Sequence, residues 1–134
     1  MRRCVRYGVV ALGLVMGLAI STGAWAQTPW AAPDAEKGKK NAVAAGKKAV
    51  EQGEKVAKVN CASCHGAKGK GDGAAAAALN PKPADWTSKK MQDETDGSLF
   101  WKISTGRGAM PPWKHLPEND RWALVYYLRS LKGK

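Results

Sequence analysis

The chain has 134 residues, which suits one domain and leaves no room for two ordinary ones. It carries 22 Lys+Arg against 11 Asp+Glu, a formal charge of +11, so anionic partners are favoured. A single Phe and scattered Trp provide no stacking ladder, which sets nucleic acid aside and leaves an acidic protein surface as the expected partner.

The first segment reads as an export signal. Arg2, Arg3 and Arg6 precede an apolar run from Val9 to Ile20, and Ala24-Trp25-Ala26 then offers a cut before Gln27. The run is short of the roughly 20 residues a membrane helix needs, although an uncleaved anchor is the alternative. Residues 1–26 are therefore expected to be a signal peptide and the product periplasmic. Cys4 would leave with it, so the mature chain keeps Cys61 and Cys64. Three of the 22 basic residues also leave, and the 19 that remain against 11 acids give a charge of +8.

Residues 27–48 form a basic extension. Gln27 to Pro33 reads as a mobile leader. From Asp34 to Asn60, Val43, Gly46, Val50, Gly53 and Ala57 recur at helical spacing, with Asp34 as a candidate N-cap. Glycine costs a helix on the order of 1 kcal/mol against alanine. The part before Ala45 is thus expected to fray. Gly66 to Pro83 is loop-rich, with a short helix at Ala74–Leu79. Asp96 to Ser104 predicts a helix with Leu99, Phe100 and Ile103 on one side, capped by Asp96 or Ser98. Pro117 to Leu131 predicts another, with Asn119 or Asp120 at its start and an apolar face of Leu124, Val125, Tyr127, Leu128 and Leu131. No alternating strand is evident, so the expected fold is all-α with long loops. So small a domain with so much loop cannot bury much of its own apolar surface, which points to a buried cofactor.

Cys61-Ala62-Ser63-Cys64-His65 is a C-x-x-C-H, the attachment pattern for c-type haem. Two cysteines three apart lie on one side of a helical turn and can reach the two vinyl groups of one porphyrin. His65, next in sequence, is carried under the iron. The competing readings are a redox or structural disulfide and a zinc site. A redox C-x-x-C wants a βαβ setting that is missing here. Zinc would need Cys61, Cys64, His65 and His115 together, yet adjacent Cys64 and His65 can hardly both face one tetrahedral ion.

A second iron ligand is expected from Met110, in Gly106-Arg107-Gly108-Ala109-Met110-Pro111-Pro112-Trp113. A thioether is a soft iron ligand, a Met/His pair raises the reduction potential, and the prolines stiffen the backbone. The bland reading of Met110 is core filling. Met91 and His115 are the other candidates, and an open iron is the last alternative.

From about Ala49 to Leu131 the chain resembles a class I monohaem cytochrome c. The C-x-x-C-H, the Gly-x-Met-Pro-like segment ending at Met110 and the aromatic-aliphatic last helix occur in the family's order. Gly53, eight residues before Cys61, matches the small residue where the first and last helices cross, with Tyr127 or Tyr126 opposite. Residues 49–134 are accordingly taken as the cytochrome domain. The resemblance implies a helical shell around one covalent haem c. It also implies a proline carbonyl on the ring nitrogen of His65, for which Pro81 is the candidate and Pro83 the next. Trp86, Trp101 and Trp113 are placed by it near the haem or in plain core. The aromatic often found four residues before the first cysteine is Ala57 here, a gap that Tyr126 could fill.

The function expected is that of a monomeric periplasmic single-electron carrier, not an enzyme, working as a shuttle to a larger redox enzyme or as its subunit. Lys68, Lys70, Lys82, Lys102, Arg107 and Lys114 would border the haem and steer an acidic partner. A small haem enzyme or sensor with a labile sixth iron position is the alternative.

Overall fold

The computed structural model describes residues 29–134, so the signal segment expected over residues 1–26 lies outside the described residues. Six α-helices follow one another: α1 (Asp34–Lys37), α2 (Lys47–Asn60), α3 (Ala62–His65), α4 (Lys89–Gln92), α5 (Asp96–Thr105) and α6 (Glu118–Ser130), with a 3₁₀ turn at Ala76–Ala78. Among the described residues there is no strand, only one isolated bridge between Arg107 and Met110. The fold is all-α.

The helices expected near the haem-type motif, at Asp96–Ser104 and at Pro117–Leu131 form, with ends set by local chemistry, but the helical spacing read from Asp34 to Asn60 is interrupted over residues 38–46, and Asp34 is the first residue of α1 after Pro33 rather than its N-cap. α5 is capped by Thr95, whose hydroxyl accepts from the Ser98 amide at 3.2 Å, so neither Asp96 nor Ser98 is the cap. α6 begins after Pro117 without a side-chain cap, and Asn119 and Asp120 lie inside its first turn. The Asp120 carboxylate instead accepts from Gln52 of α2 at 2.9 Å. α4 was not anticipated. It is four residues long and polar, so it has no apolar period to read, and the Ser88 hydroxyl starts it by accepting from Met91 N. The stretch from Ala74 to Leu79 holds only its central 3₁₀ turn.

α2 lies along α6 and α5 packs on α6. Between them Leu99, Phe100, Ile103, Trp122, Leu124, Val125 and Leu128 are buried, with Val56 and Ala57 closing the α2 side. Each fully buried aliphatic side chain contributes roughly 1.5–3 kcal/mol. The N-terminal end of α6 is locked to α5 by a buried arginine. Arg121 lies over the Phe100 ring at 4.7 Å and donates to the Ser104 hydroxyl and to the Leu116 carbonyl. Phe100 in turn stacks on Trp122 at 3.9 Å.

The extension is seated rather than frayed. Ala32 is buried, Trp30 lies against the Lys102 ammonium at 5.3 Å, and α1 packs on α5. Asn41 donates to the Trp122 carbonyl at 3.0 Å, and the Tyr126 hydroxyl donates to the Val43 carbonyl at 3.0 Å. Periodicity alone missed this because residues 38–46 are not helical and are held by side chains distant in sequence. Ala57 is buried although its own helix carries no aromatic residue.

Candidate cofactor site

The turn that carries Cys61, Cys64 and His65 is built as the continuation of α2. The Cys61 amide donates to the Ala57 carbonyl at 2.8 Å, and the Cys61 carbonyl accepts from Cys64 N at 3.1 Å and His65 N at 2.8 Å. Both thiols are free, Cys61 buried and Cys64 half-buried. After Gly66 the chain folds back under this turn. Gly71 N donates to the His65 carbonyl at 2.9 Å, Gly73 N to the Cys64 carbonyl at 3.1 Å and Ala75 N to the Ser63 carbonyl at 2.9 Å. The glycine-rich loop thus takes up the carbonyls that the short helix α3 leaves at its C-terminus.

His65 is fixed through one nitrogen. Its Nδ1 lies 3.0 Å from the Ala84 carbonyl oxygen. This corrects the expectation for Pro81, and for Pro83 after it. The Pro83 carbonyl is turned onto Gly71, where a Cβ would lie 2.4 Å from its oxygen, and the next carbonyl along the chain faces the imidazole. With Nδ1 donating to a carbonyl, Nε2 carries the lone pair and is the nitrogen free to bind iron. Burial lowers the His65 pKa and so favours the neutral imidazole that a metal requires, while the bond to the Ala84 carbonyl opposes the shift. Burial pushes the Cys61 thiol up to about 11, with the neighbouring Cys64 adding to the shift.

Trp86 stacks on His65, with ring centroids 4.5 Å apart and planes 25° from parallel, and meets Tyr127 edge-on at 6.4 Å. Trp101 is half-buried, and Trp113 packs on the core.

Met110 sits on the α5–α6 connection. Arg107 N donates to the Met110 carbonyl at 2.8 Å, and Met110 N donates back to Arg107 at 3.0 Å. This tight turn closes over Gly106, where a Cβ would lie 2.5 Å from the Met110 carbonyl oxygen, so a side chain there would push the loop open. The Trp113 amide then donates to the Ile103 carbonyl at 3.0 Å and ties the loop to α5. Met110 is half-buried and is not among the side chains packed on the apolar core, whereas Met91 is. Core filling, the bland reading of Met110, therefore describes Met91 instead. His115 is exposed, with its ring 5.5 Å from Trp113.

Among the described residues no three His, Cys, Asp or Glu side chains gather into a metal site. Two thiols at the ends of one turn and an imidazole anchored through Nδ1 are brought together, and their chemistry fits the attachment side of a haem c, while the Met110 thioether lies on the separate α5–α6 connection, outside the core. Ala84 escaped sequence reading because an alanine carbonyl has no sequence signal, and Gln92 and Arg121, which brace the surrounding helices, look like ordinary helix-surface residues.

Residues 48–128 match the family model described as Cytochrome C oxidase, cbb3-type, subunit III. No curated protein matches the chain. Among solved structures, a chain of the reducing HAO-like protein complex of Kuenenia stuttgartiensis is similar, with a TM-score of 0.60 and 28% identity. The likeness covers 67% of this chain and 46% of that one, so this chain spans less than half the length of that protein. The family match runs from the start of α2 to near the end of α6, the stretch that holds both the Cys61–His65 turn and the Met110 loop, and the chain therefore belongs to the cytochrome c oxidase, cbb3-type, subunit III family of c-type cytochrome domains.

Proposed function

We propose that the protein is an exported single-electron carrier that holds one haem c, joined to Cys61 and Cys64 by thioether bonds, with His65 and Met110 as the axial iron ligands. The observation that carries this reading is the His65 ring, held at Nδ1 by the Ala84 carbonyl inside a helical turn that also bears both thiols. Residues 1–26 are the export signal in this reading, residues 27–48 an extension and residues 49–134 the cytochrome domain. A bound haem would supply a reversible one-electron iron couple. The chain's own residues supply rigidity. The glycine loop clamps the turn, the Arg107–Met110 turn stiffens the thioether loop, and the Trp113 amide on the Ile103 carbonyl holds that loop against α5. A site that moves little between oxidation states has a small reorganisation cost, which suits transfer rather than catalysis.

Lys68, Lys70, Lys82, Arg107 and Lys114 are exposed and take part in none of the ion pairs among the described residues. They are the groups that would meet an acidic partner. Lys102 drops out of this set, since it pairs with Glu94 and lies over Trp30. The family model by its description is an oxidase subunit, and the similar Kuenenia chain belongs to a complex. Both favour a subunit of a larger redox assembly over a free shuttle.

Absorption spectra of the oxidised and reduced protein test the proposal. A c-type spectrum with the weak red band of a methionine–iron bond, lost in Met110→Ala, is expected. A wild-type spectrum without that band would remove Met110 as ligand and favour a haem enzyme or sensor with an open iron position.

A further inference from the structure

The hydrogen bond from Nδ1 to Ala84 holds one edge of the His65 ring. The residue packed on its face is Trp86. Its indole covers one face of the imidazole at 4.5 Å and 25°. The indole is itself held from four directions. Its backbone amide donates to the Gly69 carbonyl at 2.7 Å, and its carbonyl accepts from Gln92 Nε2 at 2.7 Å. Its ring rests on Gly69, where a Cβ would lie 2.5 Å from Cε3, and it meets the Tyr127 ring edge-on. The same Gln92 amide donates to the Leu128 carbonyl at 2.8 Å, so the Trp86 backbone is tied to α6. Between the two residues that touch the imidazole, the Asp85 carboxylate accepts from the Thr87 amide at 2.8 Å and the Thr87 hydroxyl at 2.7 Å. That turn locks the spacing of Ala84 and Trp86.

From this arrangement we infer that Trp86 is a positioning residue that sets the plane of the axial imidazole, and that residues 84–86 act as a bracket fixed by α6. The inference rests on the haem reading above and deepens it. The orientation of an axial imidazole decides how the unpaired electron of the oxidised iron is distributed over the porphyrin. It is therefore read in the order and spread of the paramagnetically shifted haem methyl resonances. Outer groups that orient a histidine ligand tune the metal in the same way elsewhere.

The test uses the haem-loaded protein. In the reduced, diamagnetic wild type, nuclear Overhauser contacts between the Trp86 indole protons and the His65 ring protons are expected, and their absence would overturn the inference without any variant. In the oxidised protein, Trp86→Leu is expected to change the haem methyl pattern while Trp86→Phe, which keeps an aromatic face, retains it. Trp122→Leu is the control, because Trp122 is equally buried but stacks on Phe100. It should lower the melting temperature and leave the pattern in place. A wild-type pattern in Trp86→Leu, or an equal change in Trp122→Leu, would overturn the role given to Trp86. Recovery of the wild type without covalent haem would instead overturn the functional reading itself.

Discussion

Gly53 of α2 lies so close to Ala123 of α6 that a Cβ on it would sit 2.1 Å from the Ala123 carbonyl oxygen and 2.8 Å from the Tyr127 Cβ. The two helices cross backbone to backbone at that point, and the crossing sets the direction from which α2 delivers Cys61, eight residues later. Gly53→Ala should therefore force the helices apart, at a cost of about 1–3 kcal/mol from overpacking. Thermal unfolding measures it. A melting temperature equal to wild type would show that α2 can shift freely on α6.

Met110 and Met91 should separate cleanly on substitution. Met110→Ala should abolish the methionine–iron band and lower the reduction potential, with helical content retained, because Met110 lies outside the core. Met91→Ala should keep the band and lower stability, by less than the about 2–5 kcal/mol of a fully buried methionine, since Met91 is half-buried. Spectra, redox titration and thermal melts of the two variants decide the matter. Loss of the band in Met91→Ala would reverse the assignment.

The docked extension has two hydrogen bonds that can be removed without touching the cofactor site. Tyr126→Phe deletes the donor to the Val43 carbonyl, and Asn41→Ala the donor to Trp122. Each should cost about 0.5–1.5 kcal/mol. The segment around Ala42–Ala45 should become the first site of limited proteolysis, while the absorption spectrum stays unchanged. Cleavage elsewhere first would show that other contacts hold the extension.

Charge placement predicts a kinetic pattern. If an acidic partner meets the exposed cations, the bimolecular electron-transfer rate should fall as salt rises, since exposed charges are screened beyond roughly 8–10 Å at physiological ionic strength. Lys70→Glu, Lys82→Glu and Arg107→Glu should each slow the rate at low salt. Lys102→Gln should do so far less, because its charge is already met by Glu94. Stopped-flow measurement across a salt series is the check, and a flat rate would remove electrostatic steering.

The sequence by itself determined the c-type cytochrome class and the helical class. The pattern of Cys61, Cys64 and His65 lies in their spacing along one turn, and that spacing is covalent, so it can be read without a fold. The apolar faces of α5 and α6 were legible for a similar reason, since a period of three to four residues on a helix of ten or more leaves little choice of face. Gly53 and Tyr127 were legible as a crossing pair only through the likeness to a family.

Tertiary structure alone decided the partners that any residue type can supply. A backbone carbonyl has no sequence signature, so Ala84 rather than Pro81 on the His65 ring follows from which way the chain between Pro83 and Trp86 faces. The packing of residues 29–45 onto α5 and α6 rests on hydrogen bonds spanning about 80 positions, with Tyr126 and Asn41 as donors, and local periodicity carries no trace of such pairs. The stack of Trp86 on His65 is of the same kind. Burial of a tryptophan is a fair expectation from sequence, but which ring it covers is settled only when Gly69, Gln92 and Tyr127 close around it.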